Sequence, residues 1–274
     1  MLCRGYIYPP LIVFFTKEFN ARGSVITFMD SPNIAMAFEI DILILAAKAA
    51  FPAWAKMAAH DRGALMLKLA DAIEARAEEF IALEALDTGH PVMDARRLDV
   101  PRTVLCFRYF GGMADKLQGD VLPVDAGFLN YVKREPIGVV GQIVPWNFPL
   151  DMATWKSAAA LAAGNSVVLK PAEQSPLSAL RLAELAAEAG VPEGVFNVVP
   201  GFGPTAGKAL GLHNDVDCLA FTGSTAIGKM FQQYAGQSNM KQVWLETGGK
   251  SPNLIFSHCK NLDAAADMAA FGIF

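Results

Sequence analysis

Between residues 137 and 246, short apolar runs alternate with helix-patterned stretches, and this alternation restricts the possible folds more than any other feature of the chain. The runs are IGVVGQIV (137–144), VVLK (167–170), VFNVV (195–199), DCLAF (217–221) and QVWLE (242–246). Helical patterns fill the gaps, through TWKSAAALAA, SPLSALRLAELAAEAG, residues 204–212 and residues 226–236. Short strands joined by helices form crossover units, so the expected fold class is α/β, with a parallel sheet covered by helices on both faces. Ligands of such sheets bind beyond the carboxyl ends of the strands. The loops after Val144, Lys170, Val199, Phe221 and Glu246 are therefore expected to share one rim.

The N-terminal half reads differently. Residues 1–40 carry no clear period and are left unassigned. From Asp41 the pattern is helical, and RGALMLKLADAIEARAEEFIALEAL predicts one amphipathic helix. Leu65, Leu69, Ile73, Ala77, Phe80 and Ile81 share its apolar face, and Gly89 and Pro91 end it. The DTG at Asp87–Gly89 has the letters of an aspartic-protease triplet. It terminates a helix, however, and no second DTG or DSG supplies the partner carboxylate that chemistry needs. Residues 117–136 read as a hairpin turning at Asp125-Ala126-Gly127. In the helix after VVLK, Ser175 is the expected N-cap, with Pro176 at the first helical position and Gly190 just past the end.

A chain of 274 residues with 53% hydrophobic and 18% charged side chains can bury a sizeable core. The net charge of −4 and the lack of a dense Lys/Arg cluster argue against a nucleic-acid partner. No uninterrupted apolar stretch is long enough for a membrane span, and Pro9-Pro10 break the apolar N-terminus. Cys3, Cys106, Cys218 and Cys259 show no metal-ligand spacing, so no metal is expected. Their scatter in a long chain points to reduced thiols and a cytoplasmic setting.

Three loops could hold phosphate or sugar. GFGPTAG (201–207) fits a dinucleotide-type glycine pattern if Ala206 is accepted, with Asp217 as the acid further on, although tight turning is the better explanation of the glycines. GSTAIGKM (223–230) nearly spells a nucleotide-triphosphate loop, but Met230 stands where a hydroxyl should hold Mg²⁺. What survives is an anion site made by backbone N–H groups and the Ser224 hydroxyl at a helix start. In VLKPAEQSP, Lys170 and Glu173 can both reach a sugar's vicinal hydroxyls, and the carboxylate would repel a 2′-phosphate, which favours NAD over NADP. A surface ion pair at a helix entry is the competing reading of those two residues.

Five segments taken together resemble the aldehyde dehydrogenase superfamily: IVPWNFP (143–149), LKPAEQSPLSAL (169–180), GVFNVVPGFGPTAG (194–207), AFTGSTAIGK (220–229) and LETGGKSPNLIF (245–256). The resemblance runs in order from about residue 41 to the last residue. It implies a Rossmann-like cofactor domain, an NAD cofactor with NADP as the alternative, a small-molecule aldehyde substrate and a homo-oligomer when intact. Residues 41–116 would be the helical part of that domain, 117–136 an oligomerisation hairpin, 137–246 the NAD-binding α/β unit and 247–274 the start of a catalytic domain.

At matching positions the resemblance implies that Asn147 donates to the oxyanion formed when a thiolate adds to the aldehyde, and that Glu246 is the general base. Ile143, Trp146, Lys170, Glu173, Gly203, Gly207, Gly223 and Ser224 would line the cofactor cleft. Met152 and Trp155 would face the substrate, with core packing as the competing reading. In the family a cysteine in an NxGQxC loop attacks the aldehyde, hydride passes to nicotinamide, and the thioester is hydrolysed. That loop lies thirty-odd residues beyond the glutamate, so the chain is expected to end about six residues before it, without the rest of the catalytic domain and inactive alone. None of the four cysteines matches its position. The surface that domain covers would be exposed, favouring association. His90 stands where DTGKP is common. HNDVDCLAFTGST with SNMKQVWLETGGKSPN looks most like the enzymes that oxidise gamma-glutamyl-gamma-aminobutyraldehyde.

Overall fold

The computed structural model describes residues 35–272, with side chains from Ile40 onward. Most of the unassigned segment 1–40, including Cys3, lies outside the described residues.

The expected alternation is present from the first strand of the sheet to the last. Strands β3 (Val139–Ile143), β4 (Ser166–Lys170), β5 (Phe196–Val198), β6 (Cys218–Thr222) and β7 (Gln242–Glu246) form one sheet in the order β5-β4-β3-β6-β7. Every pairing in it is parallel. The helices between are α5 (Pro149–Ala162), α6 (Leu177–Glu188), α7 (Lys208–Leu212) and α8 (Thr225–Gln237). The order reverses after β5. The chain builds outward from β3 through β4 to β5, then crosses back to place β6 on the other side of β3. The switch point between β3 and β6 is where sheets of this kind open a crevice for a ligand.

Strands buried on both faces need apolar residues at every position, which is why the runs read as continuous rather than alternating. On one face Val167, Leu169, Phe196 and Val198 join a core with α5, α6 and the helices of residues 59–113. On the other, Val139, Ile143, Val168 and Val199 pack with Leu210 of α7 and Phe231 of α8. The period-two division of β4, with Val168 on one side and Val167 and Leu169 on the other, fixes its register. Helix α1 (Ala35–Lys56) serves both cores: Ile40, Leu43, Ile44 and Ala47 enter the second, and Trp54 enters the first.

The single helix expected over the RGALMLK segment is two. Helix α2 (Ala59–Ala75) and helix α3 (Ala77–Thr88) meet at Arg76, whose φ of −114° and ψ of 27° leave the helical region. The buried face is Met66, Leu69, Ala70 and Ile73, then Phe80 and Ile81, while Leu65 and Ala77 are half-buried. The break lets α3 turn towards α6, and Arg76 pairs with Glu188 at its end at 2.8 Å. Gly89 does cap α3, in the left-handed conformation at φ 81° that glycine adopts without a Cβ penalty.

Beyond it, a helical turn (Val92–Asp94) and a π-helical segment (Ala95–Asp99) lead into α4 (Val100–Met113). The hairpin follows, with β1 (Val121–Leu122) antiparallel to β2 (Asn130–Tyr131). It is exposed throughout, with Val121, Leu122, Phe128, Leu129 and Tyr131 open to solvent. After β7, helix α9 (Leu262–Phe271) and its approach leave Leu254, Phe256, Met268 and Phe271 uncovered. No single helix among the described residues is long and apolar enough to cross a membrane.

Ser175 is not the cap of α6. The helix begins at Leu177, and the Ser175 hydroxyl is buried with no hydrogen-bond partner among the described residues. The orphan Leu177 N–H donates instead to Asp87 Oδ2 at 2.8 Å, a carboxylate delivered from the end of α3. The aspartate of the DTG triplet thus caps a helix ninety residues downstream. Burial pushes its pKa up, and the Leu177 N–H pulls it back.

Candidate active site

Each strand places one candidate group on the rim. At the end of β3, Ile143 stands level with Lys170 of β4 and Phe221 of β6, and Val144 N–H donates to the Lys170 carbonyl at 3.2 Å. Beyond Val144, Trp146 and Asn147 are exposed before Pro149 opens α5. Lys170 is buried, yet its ammonium has two partners: the Pro171 carbonyl at 2.6 Å and Glu173 Oε2 at 3.3 Å. Burial lowers the Lys170 pKa, and the charge of Glu173 opposes that shift. The ion pair is real, and the outer part of the Glu173 carboxylate faces solvent.

The GFGPTAG loop forms a π-helical segment (Gly203–Gly207) entering α7. A Cβ on Gly207 would lie 3.8 Å from Lys170 Cδ and 3.9 Å from Ile143 Cδ1, so this glycine joins the two in one wall. A Cβ on Gly203 would meet nothing within 4 Å, so that glycine borders open space. Asp217, the acid read with this loop, sits at the opposite end of the sheet. Its Oδ2 accepts from Val139 N–H at 2.8 Å and ties the starts of β3 and β6 together.

The anion-site reading of the next loop needs revision in detail. Gly223 N–H already donates to the Glu246 carbonyl at 3.0 Å. Ser224 is the N-cap of α8, its Oγ accepting from Ile227 N–H at 3.3 Å, so its own O–H is what remains to offer. The same Gly223–Glu246 bond brings the two loops together.

Glu246, read as the end of a buried strand, is exposed, because β7 is the edge of the sheet and its residues alternate exposed and half-buried. The sequence reading passed over Lys156. It stands one turn after Met152 on α5, and its ammonium donates to Thr222 Oγ1 at 2.6 Å, across the sheet end from Glu246. Burial lowers the Lys156 pKa, and the charge of Glu246 raises it in part. A lone lysine in an alanine-rich helix carries no motif; only its i, i+4 spacing from Met152 marks it. Met152 is half-buried against the first core, and Trp155 is 62% exposed, as is Trp146.

Two of the described cysteines, Cys106 and Cys218, are poor nucleophiles. Burial pushes Cys106 up to about 11 and raises Cys218 as well. At pH 8 roughly one Cys106 in a thousand would be thiolate. Iodoacetamide at that pH is expected to leave Cys106 and Cys218 largely unmodified while the folded chain persists, as read by peptide mass spectrometry. Rapid labelling of Cys106 would contradict this placement.

The sheet's switch point, the buried Lys170 paired to Glu173 on its rim, and Asn147 and Glu246 nearby lie at the end of the sheet where folds of this kind bind ligands. The model of the aldehyde dehydrogenase family matches residues 27–274, and the chain belongs to that family. It is 51% identical to the mitochondrial aldehyde dehydrogenase of Rattus norvegicus over 239 residues, 86% of this chain and 46% of that protein. It is also 51% identical to the NADP/NAD-dependent aldehyde dehydrogenase PuuC of Escherichia coli K12, covering 86% of this chain and 48% of that one. Equal identity to a mitochondrial and a bacterial enzyme places the likeness at the level of the family. Among solved structures, PnpE in complex with nicotinamide adenine dinucleotide superposes with a TM-score of 0.85 at 58% identity, over 87% of this chain and 48% of that chain. The chain thus spans about half the length of the curated relatives it matches.

Proposed function

We propose that these residues form the NAD-binding half of an NAD-dependent aldehyde dehydrogenase that oxidises an aldehyde to a carboxylic acid through a cysteine thioester. The carrying observation is the Lys170–Glu173 pair, held at the carboxyl end of β4 beside Ile143 and Gly207. A fixed ammonium and a carboxylate three residues apart suit a ribose diol, which offers both acceptors and donors. The bordering glycine wall and the Ser224 hydroxyl fit a pyrophosphate. NAD, when bound, supplies the acceptor for the hydride leaving the substrate carbon.

The chain's own residues would act around that event. Asn147, exposed beside the switch point, donates its amide N–H to the oxyanion. Glu246 takes the proton of the water that hydrolyses the thioester. Lys156, bonded to Thr222, presents positive charge beside that carboxylate. Trp146 lines the cofactor cleft, and Met152 and Trp155 face the aldehyde. The attacking thiol belongs to an NxGQxC motif that these 274 residues do not contain, so the chain by itself is expected to form no NADH from aldehyde and NAD. Steady aldehyde-dependent absorbance at 340 nm would refute that.

Two further expectations attach to this reading. The exposed hairpin of β1 and β2 would pair copies of the family fold into an oligomer, in a reduced cytoplasm. Glu173 would disfavour NADP by like-charge repulsion with the 2′-phosphate, so Glu173→Gln should raise NADP affinity relative to NAD by roughly fivefold. Competition titration measures it, and an unchanged ratio would remove Glu173 from the selectivity role.

A second reading, a non-catalytic NAD-binding or assembly protein, rests on the exposed apolar hairpin of β1 and β2 as a pairing surface. It predicts NAD binding together with co-purification with an intact homologue.

A further inference from the structure

Three segments outside the rim converge on one buried point. Glu84 comes from the last turn of α3, His90 from the turn beyond Gly89, and Asp99 from the π-helical segment before α4. One ligand atom from each lies within 4.8 Å of the other two. Glu84 is 0% exposed, and neither of its carboxylate oxygens finds a hydrogen-bond partner among the described residues. Burial pushes the Glu84 pKa up to about 7, and the Ser178 hydroxyl opposes this without completing a well-formed hydrogen bond. Asp99 is 1% exposed, and its Oδ2 lies 2.9 Å from Nδ1 of His90, whose side chain is 22% exposed.

This arrangement is one cation short. A protonated His90 can balance one carboxylate, leaving the other buried and unpaired, a state that costs several kcal/mol or is relieved by protonation. The backbone holds the groups in place: Thr88 Oγ1 donates to the Glu84 carbonyl at 2.6 Å, and His90 N–H donates back to Thr88 Oγ1 at 3.0 Å. The His90 ring also stands edge-on to Phe148, with centroids 5.3 Å apart.

We propose that Glu84, His90 and Asp99 bind a divalent transition-metal ion, zinc by preference. Two carboxylates and one imidazole form a mixed O/N set, which the all-oxygen preference of Mg²⁺ and Ca²⁺ does not match and which lacks the sulfur that Cu(I) selects. Three protein ligands leave a fourth position for water. Ligand atoms about 2 Å from a tetrahedral zinc stand about 3.3 Å apart, so the farthest pair here would close by up to about 1.5 Å on binding. The partly exposed His90 edge is the entry path. Bound there, the ion would join the end of α3 to the entry of α4. Through the His90–Phe148 contact it would also steady the loop carrying Asn147, one residue before Phe148.

The test uses the full chain stripped by chelator, titrated with Zn²⁺ by calorimetry and with Co²⁺ by visible absorption. Expected are one equivalent bound, a raised Tm, and d–d bands of N/O ligation. His90→Lys is the control, since its ammonium supplies positive charge between the carboxylates while offering no ligand, and it should fold without metal. Affinity should fall at least about tenfold in His90→Lys and in Glu84→Gln. Equal binding by wild type and His90→Lys would overturn the proposal, as would thiolate charge-transfer bands or no binding at all. If Glu84→Gln fails to fold, the His90→Lys comparison decides alone.

Discussion

Replacing Trp54 by alanine is expected to destabilise the fold by about 3–5 kcal/mol, the range for emptying a large aromatic site in a core. Trp54 is buried near the end of α1, and its Nε1–H donates to the Leu161 carbonyl of α5 at 3.2 Å. Ile40, Leu43, Ile44 and Ala47 of α1 pack in the opposite core, so this side chain is the main way one helix ties both faces of the sheet. The cavity would therefore loosen α1 from α5, and α5 carries Met152, Trp155 and Lys156. Trp54→Phe keeps much of the packing and loses the hydrogen bond, so it should cost less, about 1–2 kcal/mol. Urea unfolding measures both. A loss below about 1 kcal/mol for Trp54→Ala would show that α1 is not the tie described.

The second large effect concerns the cofactor. Lys170→Met preserves the length and apolar stem of a buried side chain and removes its charge. If the ammonium bonds a ribose oxygen, its loss forfeits a charge-assisted hydrogen bond of about 1.5–3 kcal/mol, a weakening of NAD binding by roughly 10- to 100-fold. The substitution also strands Glu173 and the Pro171 carbonyl without their shared donor. Unfolding measured alongside the calorimetric titration separates lost stability from lost binding. Unchanged affinity in a folded variant would place NAD elsewhere or nowhere.

Much of this architecture is written locally. The inner runs between residues 137 and 221 became strands because a strand covered on both faces has no polar side, and the helices between carry their own amphipathic stripes. What was not legible depends on distant partners. No sequence signal at Arg76 announces the break between α2 and α3, since neither glycine nor proline is there. Ser175 has the local chemistry of an N-cap, and only the folded chain shows Asp87 taking that place. The reversal between β5 and β6 is a fact of strand order that the alternation does not encode.

The site divides in the same way. Lys170, Glu173 and the glycine loops stood out because their spacing at strand ends is chemically meaningful, and the structure brings Ile143, Lys170 and Gly207 into one wall. The strand ending at Glu246 reads as a buried one because QVWLE resembles the inner strands, whereas it lies at the edge and leaves Glu246 exposed. Lys156 carried too little local signal. The Glu84, His90 and Asp99 cluster crosses two helices and a turn, with separations that match no ligand motif.

The most direct measurement is an equilibrium titration of the folded 274-residue chain with NAD, repeated with NADP and with Mg²⁺-ATP. Saturable binding of one NAD per chain is expected, with weaker binding of NADP and no Mg²⁺-dependent preference for ATP. A folded chain that leaves NAD unbound, or binds Mg²⁺-ATP more tightly, would contradict the NAD-binding assignment.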